Sequence, residues 1–290
     1  MLRSSPLTPF TFAGDILRAL PHGPQRVRGE LAAWNSTVRV WRDLLIRARA
    51  MRSEIQLYWP SWADPFPGAR CRMTKQLDHS WVHIQIVVNI GLRLARLLFR
   101  RGVVPSVVAD YGLREHDAEV VVAAACLMHC VGMSIHREDH ERYSLFLTAD
   151  KIGTLLENVY EEPEPSIIAA ETLHAIIGHR RQGAPFTVEA GIVRVADALD
   201  MARGRSRVPF EAGHQNIHSL SAYAIEDVKI SPGRDRAVRV EIAMSNSAGI
   251  FQVDELLAEK LRGSGLEQHI EVIARIEAEH EQRLLPVFRL

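Results

Sequence analysis

VVAAACLMHCVGMSIHREDHE, residues 121–141, opens as an apolar run and ends in ligand-type side chains. The apolar part is shorter than the ~18 residues a membrane-spanning helix needs. It therefore predicts a helix buried on all sides in a protein core. His129 and Cys130 fall at its end, Gly132 breaks it, and His136 and His140 follow. A core helix that delivers an imidazole and a thiol together is unusual for packing alone.

Outward from this stretch the pattern stays helical. Residues 76–100 form one stripe of His83, Val87, Ile90, Leu94 and Leu97, with His79 four residues before His83 on the same face. Residues 137–159 predict a helix with Tyr143, Phe146, Leu147, Ile152, Leu155 and Leu156 inward. A further helix runs to about Gly178, with Ser166 as its cap and Ile167, Glu171, His174 and Ile177 on one side. After the HRRQGAP turn, residues 188–203 form another buried helix with Ile192, Val195 and Leu199 inward. Asp197 and Asp200 lie three apart on it. A carboxylate flanked by Ala196, Ala198 and Leu199 is costly to bury alone, so Asp197 calls for a cation or a donor.

The last part changes period. Residues 225–230 and 237–243 alternate around Pro232-Gly233, which predicts a hairpin. Residues 253–261 read as a short helix. Ser264-Gly265-Leu266-Glu267 fits a capping box, which predicts a last helix to about Leu285. At the other end, residues 29–58 form an amphipathic helix with Trp34, Trp41 and Leu45 on its apolar face and five arginines opposite. Pro60, Pro65, Pro67 and Gly68 close it. The expected division is an arm and helix over 1–75, a helical domain over 76–222 and an α+β appendage over 223–290.

Composition narrows the function classes. The chain has 290 residues, 47% hydrophobic and 24% charged, with 35 basic and 35 acidic side chains. Zero net charge argues against nucleic acid as the partner. Cys71, Cys126 and Cys130 offer no CxxC pair, and no signal peptide or membrane span is read, so a cytoplasmic setting is expected. The helix over residues 29–58 is expected to pack Trp34, Trp41 and Leu45 on the domain or on a second copy, which would make a homodimer.

His83, His129, Cys130 and Asp197 come from separate helices, and a helical bundle can aim such groups at one point in its core. Taken singly, each histidine reads equally as a packed side chain. His179 beside Arg180 and Arg181 reads as surface, as do His136 and His140 among their charged neighbours. Imidazole and carboxylate donors together suit a divalent ion such as Mn, Fe, Co or Zn better than Ca.

The order His83, His129-Cys130, Asp197 resembles the HD-domain superfamily of metal-dependent phosphohydrolases, whose pattern is H, HD, D. HSWVHIQIV, LMHCVGMSIHREDHERYS, RVADALDMARGRSR, VKISPG and SAGIFQVDELLAEKLRGSGLE resemble successive segments of one predicted phosphatase and phosphodiesterase branch. The resemblance covers roughly residues 76–275. It implies an HD-domain-like bundle that is mostly α with a small α+β appendage. It implies His83, His129, Cys130 and Asp197 as ligands of a divalent metal ion (Mn, Fe, Zn, Co or Mg). It also implies a small phosphorylated substrate, a nucleotide among the options. Proton transfer would fall to His140, His174 or Asp200, and substrate contacts to His79, His136, Arg180, Arg203 and Arg205.

Cys130 stands where the family has aspartate. A thiolate selects softer ions such as Zn or Fe(II), is a poorer ligand for Mg or Mn, and lacks a carboxylate's general-base ability. That departure leaves an alternative from another class, a binding or regulatory protein on the same scaffold. Oxidative cleavage by two irons is disfavoured by the missing bridging carboxylate.

Overall fold

The computed structural model describes residues 81–157, 159–201, 217–277 and 287–289. The helix expected over residues 29–58 and the domain boundary near residue 75 lie outside them. So do His79, Cys71, Arg203 and Arg205. The described residues all belong to one compact unit.

The bundle consists of α1 (Trp81–Arg100), α2 (Ser106–Tyr111), α3 (Glu115–Met128), α4 (His140–Leu156), α5 (Glu164–Gly178) and α6 (Val188–Leu199). A small α+β appendage follows. As its all-round apolar sequence requires, α3 is the central helix and packs against α1, α5 and α6. Val120, Val121, Val122, Ala124, Ala125 and Cys126 are all buried. Among the described residues, Glu115–Ser134 is the stretch long and apolar enough to cross a membrane, but 89% of its apolar window lies buried inside the fold. Packing thus accounts for its apolarity.

Two helices bury a face that differs in part from expectation, although Ile152, Leu155 and Leu156 of the first are buried as expected. In α4 the buried face is Ser144, Thr148, Ile152, Leu155 and Leu156, while Phe146 is 73% exposed. The cause lies at the helix start. Ser144 Oγ donates to the His129 carbonyl and accepts from Gly132 N–H, both at 2.9 Å. These bonds draw the serine inward and turn Phe146 out. A Cβ on Gly132 would run into the His140 carbonyl and the Ser144 nitrogen. The glycine therefore allows the turn after Cys130 to lie directly on α4. In α5, which begins at Glu164, the buried residues are Ile168, Thr172, Ala175, Ile176 and Gly178, so the side that carries Ile167, Glu171, His174 and Ile177 is not the buried face. Ser166 does not cap this helix. Its hydroxyl donates to Glu162 Oε2 at 2.9 Å from within the first turn.

The appendage starts with α7 (Ile217–Tyr223) and the expected hairpin of β1 (Ile225–Pro232) and β2 (Val238–Met244), paired antiparallel. Val238, Val240, Ile242 and Met244 point to the core along β2. A π-helical segment, Gln252–Ala258, continues into the short α8 (Glu259–Leu261). The chain then enters β3 (Ile270–Ile276), which pairs parallel to β2, and β4 (Val287–Arg289) closes the sheet in the order β1-β2-β3-β4.

β3 overturns the expected last helix. Ile270, Val272, Ala274 and Ile276 alternate inward, and β-branched residues suit the pleat. The supposed capping box makes a turn instead. Ser264 Oγ accepts from Leu266 N–H at 3.1 Å, and Glu267 Oε1 accepts from Gly263 N–H at 2.5 Å.

Parallel pairing of β2 and β3 requires a crossover connection. Here the crossover, residues 252–261, lies on α6. A Cβ on Gly191 of α6 would strike the Ser264 carbonyl, so the close approach depends on glycine. Arg194 of α6 is 2% exposed and holds the two parts together. Its guanidinium donates to the carbonyls of Lys260 (2.8 Å), Arg181 (2.9 Å) and Arg180, with Gly178 and Glu259 at 3.4 Å. At the far end, Arg101 donates to Gly233 O at 2.5 Å and Arg234 O at 2.9 Å, which pins the hairpin turn to the end of α1.

Candidate metal centre

His83 projects from the first turns of α1, His129 ends α3, and Asp197 lies near the end of α6. Burial of all three helices against one another brings these side chains to one point. The two Nε2 atoms of His83 and His129 are 3.2 Å apart, and Asp197 Oδ1 is 3.5 Å from the first and 3.6 Å from the second. Cys130 is 1% exposed, and its sulfur lies with the His83 and His129 nitrogens in a group whose ligand atoms are all within 4.8 Å of one another. Cys130 also belongs to a second such group with His140 and His179.

The four histidines share one orientation. His83 Nδ1 bonds Asp200 Oδ2 at 2.5 Å, and His129 Nδ1 bonds the Cys126 carbonyl at 2.8 Å. His140 Nδ1 bonds the Arg137 carbonyl at 3.0 Å, and His179 Nδ1 bonds the Ile176 carbonyl at 2.5 Å. A carbonyl or carboxylate at Nδ1 requires the proton there, which leaves the Nε2 lone pair for a cation. Three of these acceptors are carbonyls three residues back in sequence, so the local backbone sets those rings.

Anionic neighbours, the Cys130 thiolate and the Asp197 carboxylate, dominate the electrostatics around His129, and a bound metal ion would have to displace the proton they favour there. Burial alone would pull the His129 imidazole down, but the Cys130 thiol and the Asp197 carboxylate outweigh it and push it up to about 10. His140 is likewise lowered by burial and, on balance, raised by its bond to Cys130. His179 goes the other way. Burial, then the charges of His129 and Lys260, hold it well below the usual imidazole range. Burial, then the Asp197 charge, pushes the Cys126 thiol well up, so it stays a protonated, packed side chain, i,i+4 from Cys130.

The donor set is imidazole nitrogen, thiol sulfur and carboxylate oxygen at close range and almost fully buried. That chemistry fits a divalent transition metal or zinc. These buried His and Cys groups could hold a metal ion.

Other expected site residues fall elsewhere. Asp200 is 5% exposed and orients His83. His174 is not brought to the centre: its Nε2 accepts from Phe186 N–H at 3.0 Å, and its ring stacks on Phe186, which is 88% exposed. His136 is exposed, and its Nδ1 accepts from Glu138 N–H at 3.1 Å. Arg180 follows His179 in sequence, with its Nε buried and no hydrogen-bond partner for that nitrogen among the described residues.

Three further residues emerge only here. His179, expected at the surface, is 2% exposed and lies 4.9 Å ring to ring from His129. The apolar run Ile176-Ile177-Gly178 before it was the available signal. Lys260 Nζ lies 2.5 Å from Asp197 Oδ2 and answers that carboxylate's need for a cation. Arg194 positions the lysine's backbone. Neither of these two carries a local sequence signal.

A helical-bundle protein with a buried His, Cys and Asp centre able to hold a metal ion is the class these observations define. No protein-family model matches the chain, nor does any solved structure. The chain belongs to the family of the uncharacterized protein MJ1020 of Methanocaldococcus jannaschii, to which it is 37% identical over 202 residues, 70% of this chain and 78% of that one. It is also similar to ribonuclease Y of Desulforudis audaxviator, at 34% identity over 125 residues, which are 42% of this chain but 21% of that protein.

Proposed function

We propose that the protein is a metal-dependent phosphohydrolase of the HD-domain type, acting on a small phosphorylated substrate such as a nucleotide. The observation that carries the reading is the presentation of His83 Nε2, His129 Nε2 and Asp197 Oδ1 to one point beside Cys130. The partial likeness to a protein named ribonuclease Y supports cleavage of a phosphoester as the class of reaction.

In this reading His83, His129, Cys130 and Asp197 hold a divalent ion, with His140 and His179 as a second set of donors on Cys130. Such an ion, when bound, lowers the pKa of a coordinated water and polarises a phosphoryl oxygen. The chain's own residues do the rest. Asp200 keeps the His83 proton on Nδ1 and so keeps its Nε2 open. His140, half-buried and in contact with Cys130, is the proton carrier. Arg180 neutralises phosphate charge at the rim, where a guanidinium can engage two oxygens. The thiol of Cys130 biases the centre towards Zn or Fe over Mg or Mn.

A second reading, a binding or regulatory protein on the same scaffold, is favoured by Cys130 itself, because a thiolate cannot replace a carboxylate in activating water. One experiment separates the two. The purified full chain is assayed for bound metal and for hydrolysis of phosphomonoesters, phosphodiesters and cyclic nucleotides with Mn, Fe, Zn, Co and Mg. Bound metal with hydrolysis that His129→Ala abolishes is the expected result. A protein that binds no metal and hydrolyses nothing refutes the proposal, and metal without hydrolysis favours the second reading.

A further inference from the structure

Lys260 comes from the appendage, yet its ammonium lies on the carboxylate that faces both core histidines. Its place is built by several contacts at once. The crossover that carries it packs on α6, Gly191 admits the chain at Ser264, and Arg194 holds the Lys260 and Glu259 carbonyls. The same guanidinium holds the Arg180 and Arg181 carbonyls, so the segments bearing Arg180 and Lys260 meet. The two neighbouring cations differ. Arg181 is bonded to Glu259 at 2.6 Å. Arg180 keeps a buried Nε with no partner among the described residues.

We infer that Lys260 and Arg180 form the phosphate-binding part of the site, so that the C-terminal appendage completes a centre whose metal donors all come from the bundle. This rests on the phosphohydrolase reading and names the group that receives the substrate's phosphoryl oxygens. Exposure indicates the direction of approach. The side chains of His83 and His129 are 1% and 0% exposed, whereas those of Asp197 and Lys260 are 12% and 18% exposed. Lys260 is thus the most solvent-exposed member of this group, within reach of an anion from outside. An ammonium has three N–H donors, and Asp197 takes one. Among the described residues no other hydrogen-bond partner meets Nζ. A tetrahedral oxyanion is the chemical partner that two ammonium donors and a guanidinium edge would take together. Lys260 also answers the buried Asp197 carboxylate's need for a cation, so the test has to separate that structural role from anion binding.

The test uses the full-length protein with inorganic phosphate as the probe. Phosphate affinity is measured by calorimetry for wild type, Lys260→Gln and Lys260→Arg, together with metal content and, on any ester the wild type hydrolyses, kcat and KM. Lys260→Gln should weaken phosphate binding about tenfold or more and raise KM by a similar factor, while metal content holds. Lys260→Arg should retain most of the affinity. A purely structural role would lower the melting temperature and leave phosphate affinity alone, and that result overturns the inference. If Lys260→Gln does not fold, acetylation of Lys260 in the wild type, followed by mass spectrometry, takes its place: phosphate should slow the labelling, and unchanged labelling overturns the inference. The two proposals fail separately. Wild type that hydrolyses no ester but binds phosphate through Lys260 sinks the hydrolase and keeps the anion site. Wild type that hydrolyses esters, with Lys260→Gln binding phosphate normally, keeps the hydrolase and sinks the anion site.

Discussion

Replacing Arg194 by methionine keeps the apolar stem of the side chain and removes its fork of donors. Three carbonyls, those of Lys260, Arg181 and Arg180, lose close charge-assisted bonds, and two more at 3.4 Å lose weaker ones. Hydrogen bonds to a charged donor contribute about 1.5–3 kcal/mol each, so three sum to at most ~9 kcal/mol. Burial of the guanidinium opposes this gain and pushes its own pKa down. The expected net loss is about 3–5 kcal/mol, the range for stranding buried polar partners. At ~2–4 °C per kcal/mol for a chain of this size, the melting temperature should fall by roughly 6–20 °C. Arg194→Lys, which keeps the charge but not the fork, should fall between methionine and wild type. Thermal melting followed by circular dichroism measures stability. Phosphate calorimetry at a temperature where both variants stay folded measures whether Lys260 has moved, and affinity should drop along with stability. An Arg194→Met protein melting within about 2 °C of wild type would show that the five carbonyls find other partners. The argument that this side chain joins the appendage to the bundle would then be wrong.

Cys130→Asp should raise occupancy by Mn and any hydrolytic rate, because a carboxylate is the harder donor. The position is 1% exposed but faces His129 and His140, so the new charge has partners; metal analysis and melting temperature check both points. Asp200→Ala removes the acceptor on His83 Nδ1 and should weaken metal binding by about 10–100-fold, read by competition with a chelating dye; equal affinity would deny the carboxylate an orienting role. Asp117 tests the pH dependence. Burial would raise its carboxyl, but His116, the Arg114 N–H and Tyr160 outweigh this and hold it below the usual range. A depressed folded value means that its stabilisation is present above the unfolded pKa near ~3.9 and is lost as pH falls through the folded value. Asp117→Ala should therefore cost about 1–3 kcal/mol at neutral pH and show less further loss on acidification than wild type, measured by melting from neutral to acid.

The bundle was legible in the sequence because helix period and apolar run length are local. The nearly all-apolar run Asp117–Cys130 reads as a central helix covered on all sides, and the helices carrying His83 and Asp197 showed their buried stripes directly. The hairpin was legible for the same reason, since Pro232-Gly233 sits between two alternating segments. The polar residues on these three core helices also singled out His83, His129 and Asp197 as a set. Their meeting within 3.2–3.6 Å is a property of how the helices cross.

Where local patterns were ambiguous, tertiary partners decided. Residues 270–276 fit a helix or a strand by composition, and a vacant edge on β2 made them β3. Phe146 and Ser144 compete for one face of α4, and the carbonyl of His129 selected the serine. His174 and His179 lie five apart on one helix and its end, and only the packing of α5 on α3 and α6 puts the second, not the first, beside Cys130. Lys260 is 63 residues from Asp197, and nothing near either marks the pair. A parallel strand pair needs a crossover, the crossover had to cover α6, and that long-range requirement brought an ammonium onto a carboxylate in the bundle.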